Sequence, residues 1–242
     1  MPSELLIDIG HSRIKWGLAE NGALMPDSVG RSGGDNPSEL FKLIGKKQIE
    51  RALICGQSRP ERVRAVAERA RHAGLETDII TTGDRTLPVA PAYKSLGCDR
   101  WLALQWPWLA HRSPMLVVDC GTAITVDVVD AAGQHRGGWI MAGIEAARAG
   151  LFNFAPGLNR ELPEIERIDR PAPDTARALV RGSALMAAGA IDRAAASAER
   201  FLGEPLEAWL TGGDAAEIRP HLARTFHHER HLVLLGLAMA SQ

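Results

Sequence analysis

Residues 5–10 read Leu-Leu-Ile-Asp-Ile-Gly, and residues 116–121 read Leu-Val-Val-Asp-Cys-Gly. Each copy is an apolar run that ends in Asp-x-Gly, and a second alternating run follows it and reaches a glycine turn. A strand, a tight turn, a second strand and a glycine turn are typical of a β-hairpin. The two aspartates lie 111 positions apart. The repeat therefore predicts two similarly folded lobes, which we place at residues 1–111 and 112–242.

The sequence around these hairpins alternates between strand and helix patterns. Apolar runs between polar flanks predict strands, and apolar residues at helical spacing predict helices. The predicted strands cover residues 49–55, 77–81 and 206–211. One helix is predicted in each of the ranges 60–72, 100–111, 215–223 and 232–240, and one or two in 174–202. Such alternation favours a layered α/β fold.

The composition restricts the classes of partner and compartment. The chain has 242 residues and a net charge of −1, with Lys and Arg spread along it, which argues against a nucleic-acid surface. No apolar stretch reaches the roughly 20 residues needed to cross a bilayer. The three cysteines form no CxxC pair and no zinc spacing, and the N-terminus lacks a signal-peptide pattern. We therefore expect a cytoplasmic protein in a reducing compartment.

The first Asp-x-Gly turn has the residue types of a metal–phosphate site. Gly10 would let backbone amides approach an anion closely, because no Cβ stands in the way. Asp8 would hold Mg²⁺ directly or through water, while Arg13 or Lys15 would meet phosphate oxygens. The alternative interpretation is a turn that only closes a hairpin.

The second turn, residues 119–122 (Asp-Cys-Gly-Thr), combines a carboxylate, a glycine and a hydroxyl in the same way. Gly212 and Gly213 stand between a predicted strand and a predicted helix, where glycine and the helix dipole suit a nucleotide. The alternatives are a hairpin turn and a strand–helix turn with Asp214 as N-cap. Because the Asp-x-Gly turn occurs twice, we favour a nucleotide clamp.

Residues 97–100, Gly-Cys-Asp-Arg, lie at the start of a predicted helix that contains three tryptophans. Asp99 beside Arg100 would combine an acid–base residue with an anion-binding residue. The alternative is an aspartate in the first helical turn next to a surface arginine. The histidines within residues 227–231 permit a metal site by spacing, but no carboxylate or cysteine is arranged beside them, so we interpret this segment as a solvated loop.

With its motifs in this order, the chain resembles the type III pantothenate kinases over nearly its whole length. The resemblance rests on residues 8–15, 96–101, 119–125, 137–140, 175–182 and 210–215. It implies an α/β fold of two duplicated lobes, of the ribonuclease H-like type shared by acetate kinase, sugar kinases and actin. It also implies ATP-dependent phosphorylation of pantothenate to 4'-phosphopantothenate, the first step of coenzyme A biosynthesis.

The resemblance further implies cofactors, a partner and residue roles. The family uses Mg²⁺ and a monovalent cation, K⁺ or NH₄⁺, and works as a homodimer. By analogy Asp99 accepts the proton of the substrate hydroxyl, Asp8 holds Mg²⁺, and Asp119 holds the monovalent cation. The residues implied for ATP are Asp8, Ile9, Gly10, His11, Ser12, Arg13, Ile14, Lys15, Thr122, Gly212 and Gly213. Those implied for pantothenate are Gly97, Cys98, Asp99, Arg100 and Thr175.

Three positions depart from the family pattern. His11 stands where the family usually has Asn, and Ala90 where it has a substrate-contacting Tyr. Ala142 stands where it has the Pro of a Pro-Gly pair. We expect these changes to alter the pocket more than the fold, and we assign Tyr93, the only tyrosine, to the substrate.

Two other functions remain open from the sequence. Some relatives are described as accessory factors for virulence-gene transcription, and a kinase of the same fold could act on a sugar or another small acid. The presence of Asp8, Asp99 and Asp119 favours an enzyme over an accessory factor. Residues 97–100 favour pantothenate over other substrates, by resemblance alone.

The predicted helix at residues 100–111 is dense in apolar side chains, among them Trp101, Trp106 and Trp108. A helix that is apolar on several faces requires more than one packing partner. We expect the core to cover one face and a two-fold-related copy of the helix to cover another. This would place a dimer interface beside Asp99.

Overall fold

The protein is described from a computed structural model that covers residues 3–33, 37–44, 49–56, 59–165 and 167–241. The strands of the first half are β1 (Ser3–Ile9), β2 (Arg13–Glu20), β3 (Ala23–Gly33), β4 (Ile49–Cys55) and β5 (Glu76–Ile79). Its helices are α1 (Ser38–Ile44), α2 (Pro60–His72), α3 (Cys98–Ala103) and α4 (Gln105–His111).

The second half repeats the alternation of strands and helices. Its strands are β6 (Met115–Cys120), β7 (Ala123–Val129), β8 (His135–Ala142), β9 (Glu207–Thr211) and β10 (His227–His228). Its helices are α5 (Ile144–Phe154), α6 (Thr175–Leu202), α7 (Ala215–Ile218) and α8 (Leu232–Met239), with 3-10 turns at Pro156–Leu158 and Arg219–His221.

The two sheets have the same topology. The strand order is β3-β2-β1-β4-β5 in the first sheet and, read in the matching direction, β8-β7-β6-β9-β10 in the second. In each sheet the first strand pairs antiparallel with the second and parallel with the fourth. This shared order confirms the duplicated α/β lobes that the sequence repeat predicted.

The turn that joins β2 to β3 is specified locally by the sequence. Asn21 and Gly22 have φ angles of 53° and 73°, the left-handed values that a two-residue hairpin turn requires and that Asn-Gly adopts readily. Leu5, Leu6 and Ile7 are fully buried on β1. A strand covered on both faces is apolar at consecutive positions rather than at alternate ones, which explains the run that precedes Asp8.

The chain divides into two compact units. Unit 1 comprises Met1–Arg112, Gly133–His135 and His231–Gln242, and unit 2 comprises Ser113–Ala132 and Arg136–Arg230. The sequence-based division counted residues 231–242 with the second lobe, whereas their helix α8 packs against α3, α4 and the first sheet. Gly236 permits this contact, because a Cβ there would collide with the carbonyl oxygen of Leu102.

The tryptophan-rich segment is covered by this same helix. Trp101, Leu102, Leu104 and Trp108 are each at most 7% exposed within the single chain. The expectation that their helix needs a second copy of the chain is therefore wrong for these residues, because α8 supplies the additional packing partner. Leu109, at 42% exposure, is the exposed apolar residue of α4.

Proline explains two further differences from the predicted helices. The single helix expected at residues 100–111 is split into α3 and α4, because Pro107 has no N–H to bond the carbonyl of Ala103. The helix expected at 215–223 ends at Ile218 and continues as a 3-10 turn that contains Pro220. The alanine-rich region, where one or two helices were predicted, forms one helix, α6. Among the described residues, no helix is long and apolar enough to cross a bilayer.

Candidate functional site

The first Asp-x-Gly loop joins β1 to β2 through residues 10–12. The Gly10 N–H donates to the Arg13 carbonyl oxygen at 3.0 Å, so the loop is a tight turn. His11, Ser12 and Arg13 are exposed. Ile9 and Ile14 are buried in the core of unit 1, so only their backbone atoms are available to a nucleotide.

Asp8 lies beneath this loop and is 6% exposed. It is in register with Lys15 on β2 and with Cys55 on β4. The Cys55 thiol donates to Asp8 Oδ1 at 3.8 Å. The carboxylate therefore lies between a lysine on one neighbouring strand and a thiol on the other.

The Cys55 thiol links Asp8 to the region of Asp99. A hydrogen bond with Cys98, burial and the negative charges of nearby groups, including Asp8 and Asp99, raise the pKa of the Cys55 thiol well above its usual value. Cys55 is therefore a neutral donor at physiological pH. The structure thus brings Asp8 and Asp99, predicted from motifs 91 positions apart, into the surroundings of the same thiol.

Asp99 lies in the first turn of α3, where one carboxylate oxygen accepts a hydrogen bond from the Arg100 backbone N–H at 2.8 Å. Gly97 precedes the helix, and a Cβ at this position would lie 2.5 Å from Asp99 Oδ1. A side chain at residue 97 would therefore displace the carboxylate. Cys98 is fully buried and its thiol donates to the Ile80 carbonyl oxygen at 3.1 Å, so its predicted role in substrate binding is limited to the backbone.

Tyr93 joins the same group of residues. Arg100 Nη1 donates to the Tyr93 hydroxyl at 3.4 Å, and the Tyr93 ring is 41% exposed. Its ring centroid lies 5.9 Å from that of His135. Sequence reasoning did not single out His135, because no motif or spacing relates it to a tyrosine 42 positions earlier.

The second Asp-x-Gly loop is shorter than the first. Residues 121 and 122 join β6 to β7, and the Gly121 N–H donates to the Ala123 carbonyl oxygen at 3.1 Å. Thr122 is exposed. Asp119 is half-buried and in register with Thr125 on β7 and Thr211 on β9.

The Gly212-Gly213 turn packs directly on this loop. Gly212 has a φ of 101°, and a Cβ there would lie 2.5 Å from Asp119 Oδ1 and would collide with the Cys120 carbonyl oxygen. The Asp214 N–H donates to that carbonyl at 2.9 Å. In unit 2 the structure therefore places Asp119 and Gly212 side by side.

Gly143 follows Ala142, one of the positions that depart from the family pattern, and it has a close structural relation to the second loop. It precedes α5, and its N–H donates to the Thr122 carbonyl oxygen at 3.0 Å. A Cβ at Gly143 would collide with the Gly121 carbonyl oxygen. The N-terminus of α5 is thereby held against the loop that contains Thr122.

Thr175 is the first residue of α6 and is exposed. The preceding residue, Asp174, caps the helix, since its carboxylate accepts a hydrogen bond from the Arg177 N–H at 2.9 Å. Thr175 belongs to unit 2, whereas the other residues assigned to pantothenate belong to unit 1.

Of the histidines predicted to lie in a solvated loop, His227 and His228 form β10, and His227 has structural partners. His227 stacks on Trp209 with ring centroids 4.6 Å apart, and its Nε2 lies 3.0 Å from Glu207 Oε2. Burial and the nearby Arg219 and Arg230 lower the pKa of His228. Within the described part of the chain, no group of three or more His, Cys, Asp or Glu is arranged to hold a metal ion.

The predicted cation sites are compatible with this finding. Mg²⁺ is usually bound by one or two carboxylates together with substrate phosphates, and not by a cage of protein ligands. Asp8 would supply one such carboxylate. Asp119, with Thr125 and Thr211 in register beside it, offers the oxygen ligands that hard cations prefer.

Solved structures of other proteins share this fold. A Baf family protein from Campylobacter jejuni superposes with a TM-score of 0.63 at 18% identity, covering 96% of this chain and 94% of that one. A Listeria monocytogenes protein assigned as an N-acetylmannosamine kinase has a TM-score of 0.54 at 15% identity, covering 98% and 97%. At such identities the likeness shows the fold alone. It confirms the predicted fold, which sugar kinases share.

The sequence relationship is closer. A type III pantothenate kinase from Alkalilimnicola ehrlichii is 33% identical to this chain, over 100% of this chain and 99% of the relative. The model of the type III pantothenate kinase family matches residues 4–197. A match of this extent includes both Asp-x-Gly loops and the start of α3, and it shows that the chain belongs to the type III pantothenate kinase family.

Proposed function

We propose that this chain transfers a phosphoryl group from ATP to the hydroxyl of pantothenate, forming 4'-phosphopantothenate in the first step of coenzyme A biosynthesis. The observation that supports this most strongly is the placement of Asp99, Arg100 and Tyr93 at the start of α3, in the surroundings of the thiol that contacts Asp8. A proton acceptor, an anion-binding group and a phosphate-loop carboxylate are the parts that this reaction requires.

Phosphoryl transfer depends mainly on positioning and on charge neutralisation, and needs little covalent chemistry from the protein. Asp99 accepts the proton of the pantothenate hydroxyl as the phosphoryl group arrives. One of its oxygens is held by the Arg100 N–H at 2.8 Å, which orients the carboxylate. Arg100 and Tyr93 bind the substrate carboxylate through the guanidinium and the phenol hydroxyl.

The first loop binds ATP phosphates through the backbone amides of residues 11 and 12 and through Arg13 and Lys15, while the Gly10 N–H holds the turn closed. The second loop and the Gly212-Gly213 turn bind the nucleotide through Thr122 and through close backbone approach. Asp8 would hold Mg²⁺ and Asp119 would hold K⁺ or NH₄⁺. When bound, these cations would supply positive charge against the carboxylates and the ATP phosphates.

We also propose that the chain is a cytoplasmic homodimer that binds neither nucleic acid nor membrane. Helices α5 and α6 pack against each other. Both carry exposed apolar side chains, which support a second copy of the chain as the partner. The large ones are Leu151, Phe154, Leu185, Met186 and Phe201, with exposures between 43% and 89%. Patches of this kind mark interaction surfaces in soluble proteins.

Sedimentation of two variants locates this interface. Leu185→Glu should convert the dimer to a monomer, because it buries a charge in the contact. Leu109→Glu changes the exposed residue of α4, the segment first expected to form the interface, and should leave the dimer intact. The opposite result would return the interface to α4, and a fully active monomer of the unmodified chain would refute the dimer.

The central test is release of ADP in a coupled assay with and without pantothenate, with the product identified by mass spectrometry. ADP release that requires pantothenate and yields 4'-phosphopantothenate is the expected result. Turnover with a sugar or another small acid, but not with pantothenate, would identify a different kinase. Nucleotide binding without any turnover would indicate an accessory protein.

A further inference from the structure

We propose that His135 is a positioning residue for the acidic substrate, acting through Tyr93. This inference rests on the proposed function and extends it to a residue outside the motifs. His135 is 3% exposed, so its side chain is not a surface group. Several of its contacts are with Ala90, Ala92 and Tyr93, on the segment that precedes α3.

The backbone contacts come first. The His135 N–H donates to the Ala90 carbonyl oxygen at 3.0 Å, and the Ala90 N–H donates to the Gly133 carbonyl oxygen at 3.1 Å. Ala90 and Gln134 form a parallel bridge. The turn at residues 133–135 is thus paired with the segment that leads to Tyr93.

Gly133 fixes the turn from the opposite side. Its φ is 77°, and a Cβ at this position would lie 2.8 Å from the Trp108 ring and 3.0 Å from the Pro88 carbonyl oxygen. Trp108 is 7% exposed and belongs to the core that α8 covers. The turn therefore rests on a rigid part of unit 1, which gives His135 a defined position.

The side chain of His135 adds two contacts. Its Nδ1 accepts a hydrogen bond from the Ala92 N–H at 3.4 Å, and its ring lies against the Tyr93 ring at 5.9 Å with an interplanar angle of 48°. The first contact fixes the backbone immediately before Tyr93. The second contact restricts rotation of the Tyr93 ring. The distance between the two ring centroids is one at which aromatic rings attract each other.

Tyr93 requires such support because residues 91–97 contain neither helix nor strand. The phenol is 41% exposed, and an exposed side chain on a loop gains rotational entropy when it leaves its contacts. With its oxygen accepting from Arg100 Nη1, the hydroxyl directs its own hydrogen toward an acceptor. Arg100 and the Tyr93 hydroxyl then offer two neighbouring hydrogen-bond donors to the carboxylate of the substrate.

Asp99 is held by a different set of contacts. Its oxygen is bound by the Arg100 backbone N–H, and its space is defined by Gly97. Loss of His135 should therefore weaken substrate binding and leave the chemical step unchanged. A merely structural role would lower the apparent kcat, through a smaller fraction of folded enzyme, and leave both KM values unchanged.

The experiment is a double-mutant cycle on the full chain. His135→Ala should raise the KM for pantothenate about five- to tenfold, the size expected from one hydrogen bond and one ring contact, with kcat and the KM for ATP unchanged. His135→Asn keeps an acceptor near the Nδ1 position and loses the ring, so its effect should be intermediate. His111→Ala, an exposed histidine at the end of α4, is the matched control.

The Tyr93→Ala background decides the assignment. If His135 acts through Tyr93, adding His135→Ala to Tyr93→Ala should raise the KM for pantothenate no further. Additive effects on the KM for pantothenate, or a lower apparent kcat with both KM values unchanged, would overturn the role of His135 while the proposed function stands. Absence of pantothenate phosphorylation by the unmodified chain would refute both the proposed function and this assignment.

Discussion

The two Asp-x-Gly loops occupy the same place in two sheets of the same topology, but their aspartates have different neighbours. Asp8 is 6% exposed, is in register with Lys15 on β2 and accepts a hydrogen bond from the thiol of Cys55 on β4. This carboxylate has a cation on one side and a neutral donor on the other.

Asp119 has hydroxyl residues at both corresponding positions, Thr125 on β7 and Thr211 on β9. It is half-buried, and the glycine turn at Gly212 packs against its carboxylate. A site with one carboxylate and several neutral oxygens suits a monovalent cation, whereas a carboxylate with a lysine beside it suits a metal bound to phosphates. From this difference we expect the two loops to have different electrostatic roles.

The largest expected effect concerns Asp99, which lies outside both loops. It is the reference against which the effects of the loop variants are compared. Asp99→Asn should lower kcat by a factor on the order of 10² or more, because the proton acceptor is lost, while ATP binding is retained. Steady-state kinetics and calorimetric titration of ATP check the two parts. A variant with near-normal turnover would remove Asp99 from the proposed mechanism.

Replacing each loop aspartate tests the comparison directly. Asp8→Asn should raise the Mg²⁺ concentration needed for half-maximal activity at least about tenfold, and Asp119→Asn should do the same for K⁺, by analogy with the losses seen when metal sites are perturbed. Titration of each cation at saturating levels of the other separates the effects, and binding of Mg²⁺-ATP by calorimetry provides a readout without turnover. If both variants change the same cation dependence, the two loops do not differ as inferred.

Gly212→Ala tests the close packing at the second loop. The added Cβ meets Asp119 and the Cys120 backbone, and overpacking of about 2–3 kcal/mol should lower the midpoint of thermal unfolding by roughly 4–12 °C. Gly182→Ala, on α6 where a Cβ meets nothing within 4 Å, is the matched control. Its midpoint should stay the same or rise, because alanine favours a helix. Equal midpoints for both variants would contradict the packing argument.

The smallest expected effect concerns the thiols at the ends of the strands. The pKa of Cys55 is raised by its hydrogen bond with Cys98 and by burial, and that of Cys120 is raised by burial and by the charges of Asp119 and Asp214. A raised pKa leaves less thiolate below that value, so native protein at pH 8 should react slowly with iodoacetamide. Mass spectrometry should show full labelling only in denaturant. Rapid labelling of Cys55 alone would show that the first loop opens.

Much of the fold follows from local signals. The predicted strand at residues 49–55 and the predicted helix at 60–72 have the bounds of β4 and α2, because apolar spacing and Pro60 at the helix start act within a few residues. The candidate site was predictable as a set of motifs. The roles of Asp8, Asp99 and Asp119 remain predictions until the variants above are measured.

The sequence by itself determined the duplicated hairpins, the strand–helix alternation and the family, since each depends on residue types at short spacing or on the order of motifs. Only the tertiary structure decided which helix covers Trp101 and Trp108, which thiol contacts Asp8, and which histidine supports Tyr93. These contacts join residues 40 or more positions apart. Such pairs meet only when whole elements pack, and packing depends on close-fitting shapes, such as those at Gly133 and Gly236, that no local pattern encodes.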